Sequence, residues 1–455
     1  MNETQCKFET FKFQGLKSRE VEGSFDGGPL TSDGGAILIR EVSERTGILQ
    51  GFGKCFEDHR DPRFRWYEVE ELVSQRVLGL ACGYEDLNDH DVLRGDPLFQ
   101  LLVGRTKELV AGKSTLNRLE LSTEEITKYK KIYCETTKVE RFFVEVFLQS
   151  QSRRMRRKEK ELIIDVDATD VLLHGQQEGR FFHGYYGDYC YLPLYMFCGD
   201  HLLVAKLRPS NIDASLGTVE ELERIIPLIR AKYPRAKIII RGDSGFAREE
   251  IMSWCEANGV KYLFGLARNT RLVGKIQGEL EKAEGEFEKK QEAVRYFKEF
   301  RYRTRESWSR ARRVIAKAEY LEKGANPRFV VTSLSRDVAT AIKLYEEWYC
   351  KRGNMENRIK EQFSLFADRM STATIRANQV RLYFSAVAYM LLTEFRRTAL
   401  QGTELAKAQI HTIREKLIKI AARVRVTARR IYLSFASACP YQDIFRTAYC
   451  NLLHT

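Results

Sequence analysis

Three stretches of the chain carry side chains that could do chemistry together. In ELIIDVDATD, Asp165, Asp167 and Asp170 cluster at the end of an otherwise apolar run. An unpaired carboxylate buried there costs several kcal/mol, so these acids require a solvent cleft, a cation or a metal. IIIRGD ends on Asp243 in the same manner, and Ser244-Gly245 turn the chain into the element that follows. The third stretch is YCKRGNMENRIKEQF, residues 349–363. At about 100° per residue, Tyr349, Arg352, Glu356 and Lys360 fall on one narrow helical stripe. A phenol, an acid and two bases make a poor core face. Each feature has a blander explanation when taken singly. A strand-end acid can simply cap the next helix, and Arg352–Glu356 and Glu356–Lys360 are i, i+4 pairs worth only tenths of a kcal/mol. Across a shared cleft, the same stripe supplies a third carboxylate flanked by cations suited to phosphate. Carboxylates without a His/Cys set select Mg2+ or Mn2+. Two such ions about 4 Å apart would activate a water or a 3′-hydroxyl and stabilise the leaving oxygen in phosphodiester chemistry.

The elements that must position these residues begin at 161. ELIIDVDATDVLLHG predicts a buried strand, and YCYLPLYMFCG and DHLLVAKLRPS continue it as a meander. SLGTVEELERIIPLIRAKYP follows as a helix, AKIIIRGDSGF as a strand, AREEIMSWCEANG as a helix ended by Gly259, and VKYLFGLA as a strand. This is an α/β layer with acids at strand ends, where such sheets put their ligands. Residues 270–335 mix a charged helix with further strands (AVRYFKEFRYRT, RRVIAKAEYL, RFVVTSL), and helical periodicity resumes from 337 almost to the end. The first 150 residues read as mainly helical after a strand-containing opening. Ser32 and Asp33 stand where the N-cap of a short helix belongs, 66–81 forms a strongly amphipathic helix, KSTLNRLE opens another, and Ser122 with Glu125 makes a capping box. The organisation expected is therefore 1–150, mainly helical; 160–400, the α/β layer with an insertion at about 270–335; and 401–455, a basic helical region.

The chain has 455 residues, enough for two to four domains, with 44% hydrophobic residues and only 9 prolines, which excludes a disordered or fibrous protein. Lys and Arg number 75 against 62 acids, an excess of +13 that points to a polyanionic partner. The excess is local. Residues 396–455 hold eleven Lys/Arg against three acids, 301–317 seven against one and 151–160 six against one, on a mildly acidic remainder. One zone interleaves Tyr302 and Trp308 with arginines, and arginines meet phosphates while aromatic faces accept bases. The ten cysteines are dispersed without a C-x-x-C pair and the seven histidines are scattered, which argues against zinc and for free thiols in a reducing cytoplasm. No leader and no apolar run near 18 residues is visible, so no membrane is expected. AGKST at 111–115 has Lys107 where a phosphate loop needs glycine, so no nucleotide cofactor is expected either.

The combination DVDATD, RGDSGF and the Tyr349, Arg352, Glu356 spacing resembles the DDE transposases of bacterial insertion sequences. It is most similar to the insertion-sequence "thirteen-eighty" group within the "four"-like superfamily. Further matching stretches include GLACGYEDLNDHDVLRGDP, HGQQEGRFFHGYY and RANQVRLYFSAVAYMLL. The resemblance implies an RNase H-like catalytic core with a β-rich insertion before the helix carrying the Glu. It places the catalytic, metal-holding acids on Asp167, Asp243 and Glu356, since the family's first Asp precedes a small residue and Thr, as Ala168-Thr169 do here; Asp165 is the runner-up. It implies two Mg2+ ions (Mn2+ possible) per site, with Arg352 on phosphate and Tyr349 orienting the Glu or the backbone. Phe363 stands where the family pattern ends with Lys, and Lys360 is the substitute. Trp308, with Arg310, Arg312 and Arg313, corresponds to a region where an aromatic ring stacks on a flipped base. The implied activity is cut-and-paste transposition: binding of terminal inverted repeats, metal-dependent cleavage and strand transfer into target DNA, by a homodimer on DNA at the bacterial nucleoid. The rival readings are a catalytically inactive DNA-binding regulator and a related nuclease.

Overall fold

The computed structural model describes residues 10–122, 126–151 and 161–454. Most of the basic stretch at 151–160, and Glu125 of the expected capping box, lie outside the described residues. The chain divides into two units. One comprises 51–60 and 118–393, the other 1–50, 61–117 and 394–455. Both differ from the expected division. Residues 118–150 belong with the large sheet, and the C-terminal region shares a unit with the N-terminal one instead of standing alone.

The first of these units is built on a mixed sheet. Its elements are α1 (Thr136–Ser150), β1 (Glu161–Ala168), β2 (Leu194–Cys198), β3 (His201–Lys206), α2 (Thr218–Lys232), β4 (Lys237–Gly242), α3 (Glu249–Ala257) and β5 (Lys261–Leu266). There follow α4 (Gln277–Lys290), β6 (Val294–Tyr302), β7 (Arg312–Leu321), β8 (Arg328–Thr332) and α5 (Gly353–Phe363). The strand order is β3-β2-β1-β4-β5-β8-β7-β6. β1, β2 and β3 form the antiparallel meander, while β4 and β5 run parallel to β1. The strands read as continuous apolar runs because the sheet is covered on both faces. Leu162, Ile164, Val166, Ile238 and Ile240 pack with Val144 and Phe147 of α1, Ile225 and Ile229 of α2, and Met252 of α3. On the other face Ile163, Ile239 and Leu263 meet Leu334, Leu344 and Tyr345. The strands in the stretch expected to be the insertion extend the same sheet: β8 pairs antiparallel with β5, β7 with β8 and β6 with β7.

In the second unit the helix Ala36–Thr46 begins at Gly35, not at the expected Ser32–Asp33 cap. Asp33 is fully buried, accepts a hydrogen bond from the Tyr84 hydroxyl at 2.7 Å and pairs with Lys419 at 2.7 Å. Gly35 is required there, since a Cβ would stand 1.7 Å from the Leu417 carbonyl oxygen. The expected amphipathic helix is Val69–Cys82, buried nearly all round. The C-terminal region is not wholly helical. Ala422–Val426 and Ile431–Phe435 form a hairpin whose first strand pairs with Leu30–Thr31, before the helix Gln442–Leu453. Its alternation of apolar and polar residues is the period of a half-buried strand. Among the described residues no helix is long and apolar enough to cross a membrane.

Candidate active site

β1 and β4 lie side by side in parallel register with Asp165 level with Arg241. Side chains two residues apart share a face, so Ile163, Asp165 and Asp167 form one column and Ile239, Arg241 and Asp243 the next. Two layers of charge result. In the inner one Arg241 holds Asp165 with a two-pronged contact, Nε to Oδ1 at 2.5 Å and Nη2 to Oδ2 at 2.7 Å. Its remaining prong donates to the Trp348 carbonyl. Both residues are buried, at 5% and 6% exposure. Burial pushes the Asp165 carboxyl up, and Arg241 and Arg352 oppose that rise. The missed residue is Arg241. An arginine inside IIIRGD needs a buried anion, and ELIIDVD is the neighbouring strand that offers one.

The outer layer holds Asp167, Asp243 and Glu356, the acids that the family resemblance names. Asp167 stands at the end of β1, its Oδ1 accepting from the Ala168 N–H at 3.0 Å. Asp243 follows β4 directly and accepts from the Gly245 N–H at 2.8 Å, capping a short 3-10 turn, Ser244–Phe246. Glu356 lies in the first turn of α5. The chain reaches α5 through a π-helical stretch, Lys343–Tyr349, and a 3-10 turn, Cys350–Arg352, so uniform 100° spacing does not hold across the whole stripe. The i, i+4 contact survives: Arg352 donates to Asp167 at 3.2 Å and to Glu356 at 3.4 Å. Burial raises the Asp167 carboxyl to about 6; Arg352 and the Ala168 N–H pull it down, while Asp243 and Glu356 push it further up. The Tyr349 phenol is likewise raised by burial, and it feels both Arg352 and Asp243. Its hydroxyl passes directly over Gly265 of β5, where a Cβ would stand 2.5 Å from it and 2.9 Å from the Ser244 nitrogen. Only a glycine at 265 lets the phenol and the Asp243–Ser244 turn come this close. Lys360 is exposed one turn beyond Glu356.

The basic cluster of the insertion lies elsewhere. Arg310, Arg312 and Arg313 line a cavity of about 600 Å³ with Lys261 and Tyr262, at the opposite end of β5 from Gly265. Arg312 is buried and bound to Glu249 at 2.6 Å and Glu256 at 2.9 Å, and Arg313 to Glu299 at 2.5 Å. Arg310 is exposed beside Glu256 at 3.4 Å. The expectation that Trp308 stacks on a base is corrected by its surroundings. The ring is 3% exposed, packs edge-on against Tyr302 at 5.8 Å and lies under the Arg312 guanidinium.

Among the described residues no three His, Cys, Asp or Glu side chains are already spaced to hold a metal ion; the Arg352 guanidinium stands between two of the acids. The donor chemistry nevertheless suits a divalent cation. Two of the three carboxylates share one guanidinium, all the available donors are hard oxygens, and burial lifts Asp167, with Asp243 and Glu356 adding to the rise.

Comparison with known proteins bears on what such a site belongs to. No curated protein matches the chain. Among solved structures, the cryo-EM structure of a piggyBac transposase synaptic complex with hairpin DNA is similar at 12% identity and a TM-score of 0.41, over 85% of this chain and 80% of that one. The family model described as transposase DDE domain group 1 matches residues 13–455. The chain therefore belongs to the transposase DDE domain family, group 1.

Proposed function

We propose that the protein is an active cut-and-paste transposase. It binds the terminal inverted repeats of its own element, hydrolyses the DNA at the ends and joins the freed 3′-hydroxyls to target DNA. The observation that carries this reading is the outer layer, where Asp167, Asp243 and Glu356 come from two strand ends and one helix, Arg352 bonds Asp167 and Glu356, and Asp243 acts on Asp167 through its charge. The strand order β3-β2-β1-β4-β5, with three antiparallel strands followed by two parallel ones, is what an RNase H-like core implies, and it supports the assignment. Asp167 is the first acid of the triad, because Asp165 is already committed to Arg241.

The three carboxylates would hold Mg2+, or Mn2+, as two ions. When bound, such ions polarise the scissile phosphate and lower the pKa of the attacking water or hydroxyl. The chain's own residues do the rest. Arg352 neutralises charge beside Asp167 and Glu356 and would bind a phosphate oxygen. Tyr349 packs over Gly265 and fixes the turn that carries Asp243. Lys360 and the exposed Arg310 add phosphate contacts. Because two cut ends must be joined, the working species is a homodimer on two DNA ends.

The deciding experiment is nicking of a duplex carrying the DNA that borders the protein's own gene, with Mg2+ and with chelator. Wild type nicks only with the metal, and Asp243→Ala does not nick. Equal nicking by the two proteins would remove the catalytic assignment and leave a DNA-binding regulator.

A further inference from the structure

Between β1 and β2 the chain leaves the sheet as a three-stranded tongue, Val171–Leu172, Asp188–Tyr191 and Phe181–His183 in that spatial order. Both of its roots are at the candidate active site. Its first strand begins four residues after Asp167, and the chain returns at Leu194–Tyr195, which pair with Ala168 and Asp167. Its base is fastened. The Tyr191 hydroxyl donates to the Glu178 carbonyl at 2.5 Å, the Glu178 N–H to the Ala373 carbonyl at 2.9 Å, and the Gln177 side chain to the Met370 carbonyl at 3.0 Å.

The tip holds several rings out to solvent. Phe182 is 58% exposed, Tyr185 87% and Tyr189 42%. Phe182 and Tyr189 are cross-strand partners with ring centres 5.6 Å apart, and the Arg180 guanidinium lies 4.2 Å over the Tyr189 ring. Tyr185 packs edge-on against Tyr186 at 5.0 Å in a turn closed by the Gly187 N–H on the His183 carbonyl at 2.8 Å. Gly187 has φ of +74°, a conformation glycine adopts without strain. Tyr186, next to these rings, stands within the fields of Asp170 and Asp167. Large rings held out in water beside an acidic site, with a guanidinium on one of them, cost free energy unless something covers them. Bases of an unpaired strand fit both features, since a ring face stacks on any base and the guanidinium meets the phosphate between.

We propose that the tongue, through Phe182, Tyr185, Tyr189 and Arg180, is a stacking platform for unpaired nucleotides beside the scissile phosphate. The role rests on the reading of the outer layer as a DNA-cutting site, but binding to the tongue needs neither metal nor cutting.

The test uses the full chain in chelator and measures fluorescence anisotropy with a short labelled oligothymidylate and with a labelled blunt duplex. The double variant Phe182→Ala/Tyr185→Ala should lose at least about tenfold in affinity for the single strand, the scale of base–aromatic stacking, and keep its duplex affinity. Phe182→Tyr/Tyr185→Phe should bind the single strand as wild type does. A 2-aminopurine placed in the strand should be quenched by wild type and not by the alanine variant. Unchanged single-strand affinity in the alanine variant overturns the proposal, as does equal loss of both DNA forms. Loss of self-association by light scattering with strand affinity intact also overturns it, and assigns the patch to a second copy of the chain. If the strand preference depends on the rings but wild type fails to nick with Mg2+, the platform stands and the cutting assignment falls.

Discussion

Asp165 and Asp167 stand two residues apart on one strand and face the same side of the sheet, yet the structure treats them oppositely. Asp165 has a guanidinium to itself, contacted through both oxygens and buried with it. Asp167 shares Arg352 with Glu356, while Asp243 adds a third negative charge. Charge is balanced in the inner layer and in excess in the outer one. A one-to-one buried pair holds β1 and β4 in register. Three acids near one guanidinium leave the outer layer with an excess of negative charge, which suits a further cation.

The largest effect expected from breaking this contrast is on the balanced side. Arg241→Met leaves Asp165 buried without its partner and orphans the Trp348 carbonyl, which should cost about 3–5 kcal/mol in urea unfolding. Adding Asp165→Leu removes the uncompensated charge and should recover most of that loss. If the single variant is as stable as wild type, the inner layer is not structural. The unbalanced side should respond the other way. Asp243→Asn keeps an acceptor for the Gly245 N–H, so the urea midpoint should hold or rise as repulsion with Asp167 is relieved. Metal-dependent nicking should fall at least about a hundredfold, the scale of removing one group that stabilises developing charge. A variant that is destabilised and still nicks would reverse the assignment of the two layers.

Much of this contrast could be read in the sequence, because its cause is local. Apolar strands ending in acids are visible in ELIIDVD and IIIRGD, and strands covered on both faces carry the continuous hydrophobicity that marks them. Asp165 and Asp167 could be told apart only by family resemblance, since the partner that distinguishes them is 76 residues away and depends on parallel register. The same limit explains the insertion. AVRYFKEFRYRT and RRVIAKAEYL are recognisable strands, but which edge they join is settled by β8 pairing with β5. Trp308 failed as a surface ring for a related reason: the arginine that interleaves it, Arg312, is neutralised by Glu249 and Glu256 on a helix some 60 residues earlier. The hairpin at 422–435 was a different case. Its period-two alternation was present and was overridden by the helical periodicity on either side. Asp33 had the chemistry of a cap, but Lys419 and Tyr84 claim it.

The contrast can be sharpened by moving the outer layer without changing its charge. Gly265→Ala places a methyl 2.5 Å from the Tyr349 hydroxyl and 2.9 Å from the Ser244 nitrogen. The phenol must move, and the Asp243 turn with it. Because misplacing a reacting group by about 1 Å costs up to a hundredfold, nicking should fall about tenfold or more. The inner Asp165–Arg241 pair lies deeper on the neighbouring strands, so unfolding of β1 and β4 should be little affected. Equal losses of stability and activity would show that the two layers are one structural unit.

The smallest effect expected is at Lys360, which lies outside both layers. It is exposed on the stripe that carries Glu356, one turn further along α5, and it stands three residues before Phe363, where the family pattern has its lysine. If it contacts a phosphate as a point charge, Lys360→Ala should weaken DNA binding by a few-fold whatever the sequence, and reduce the slope of log affinity against log salt by about one. The nicking rate at saturating DNA should stay the same, and so should the urea midpoint. A fall in that rate with binding intact would move Lys360 from the DNA path into the outer layer. The acids there would then answer to two cations, and the charge excess that separates Asp167 from Asp165 would be smaller than Arg352 alone implies.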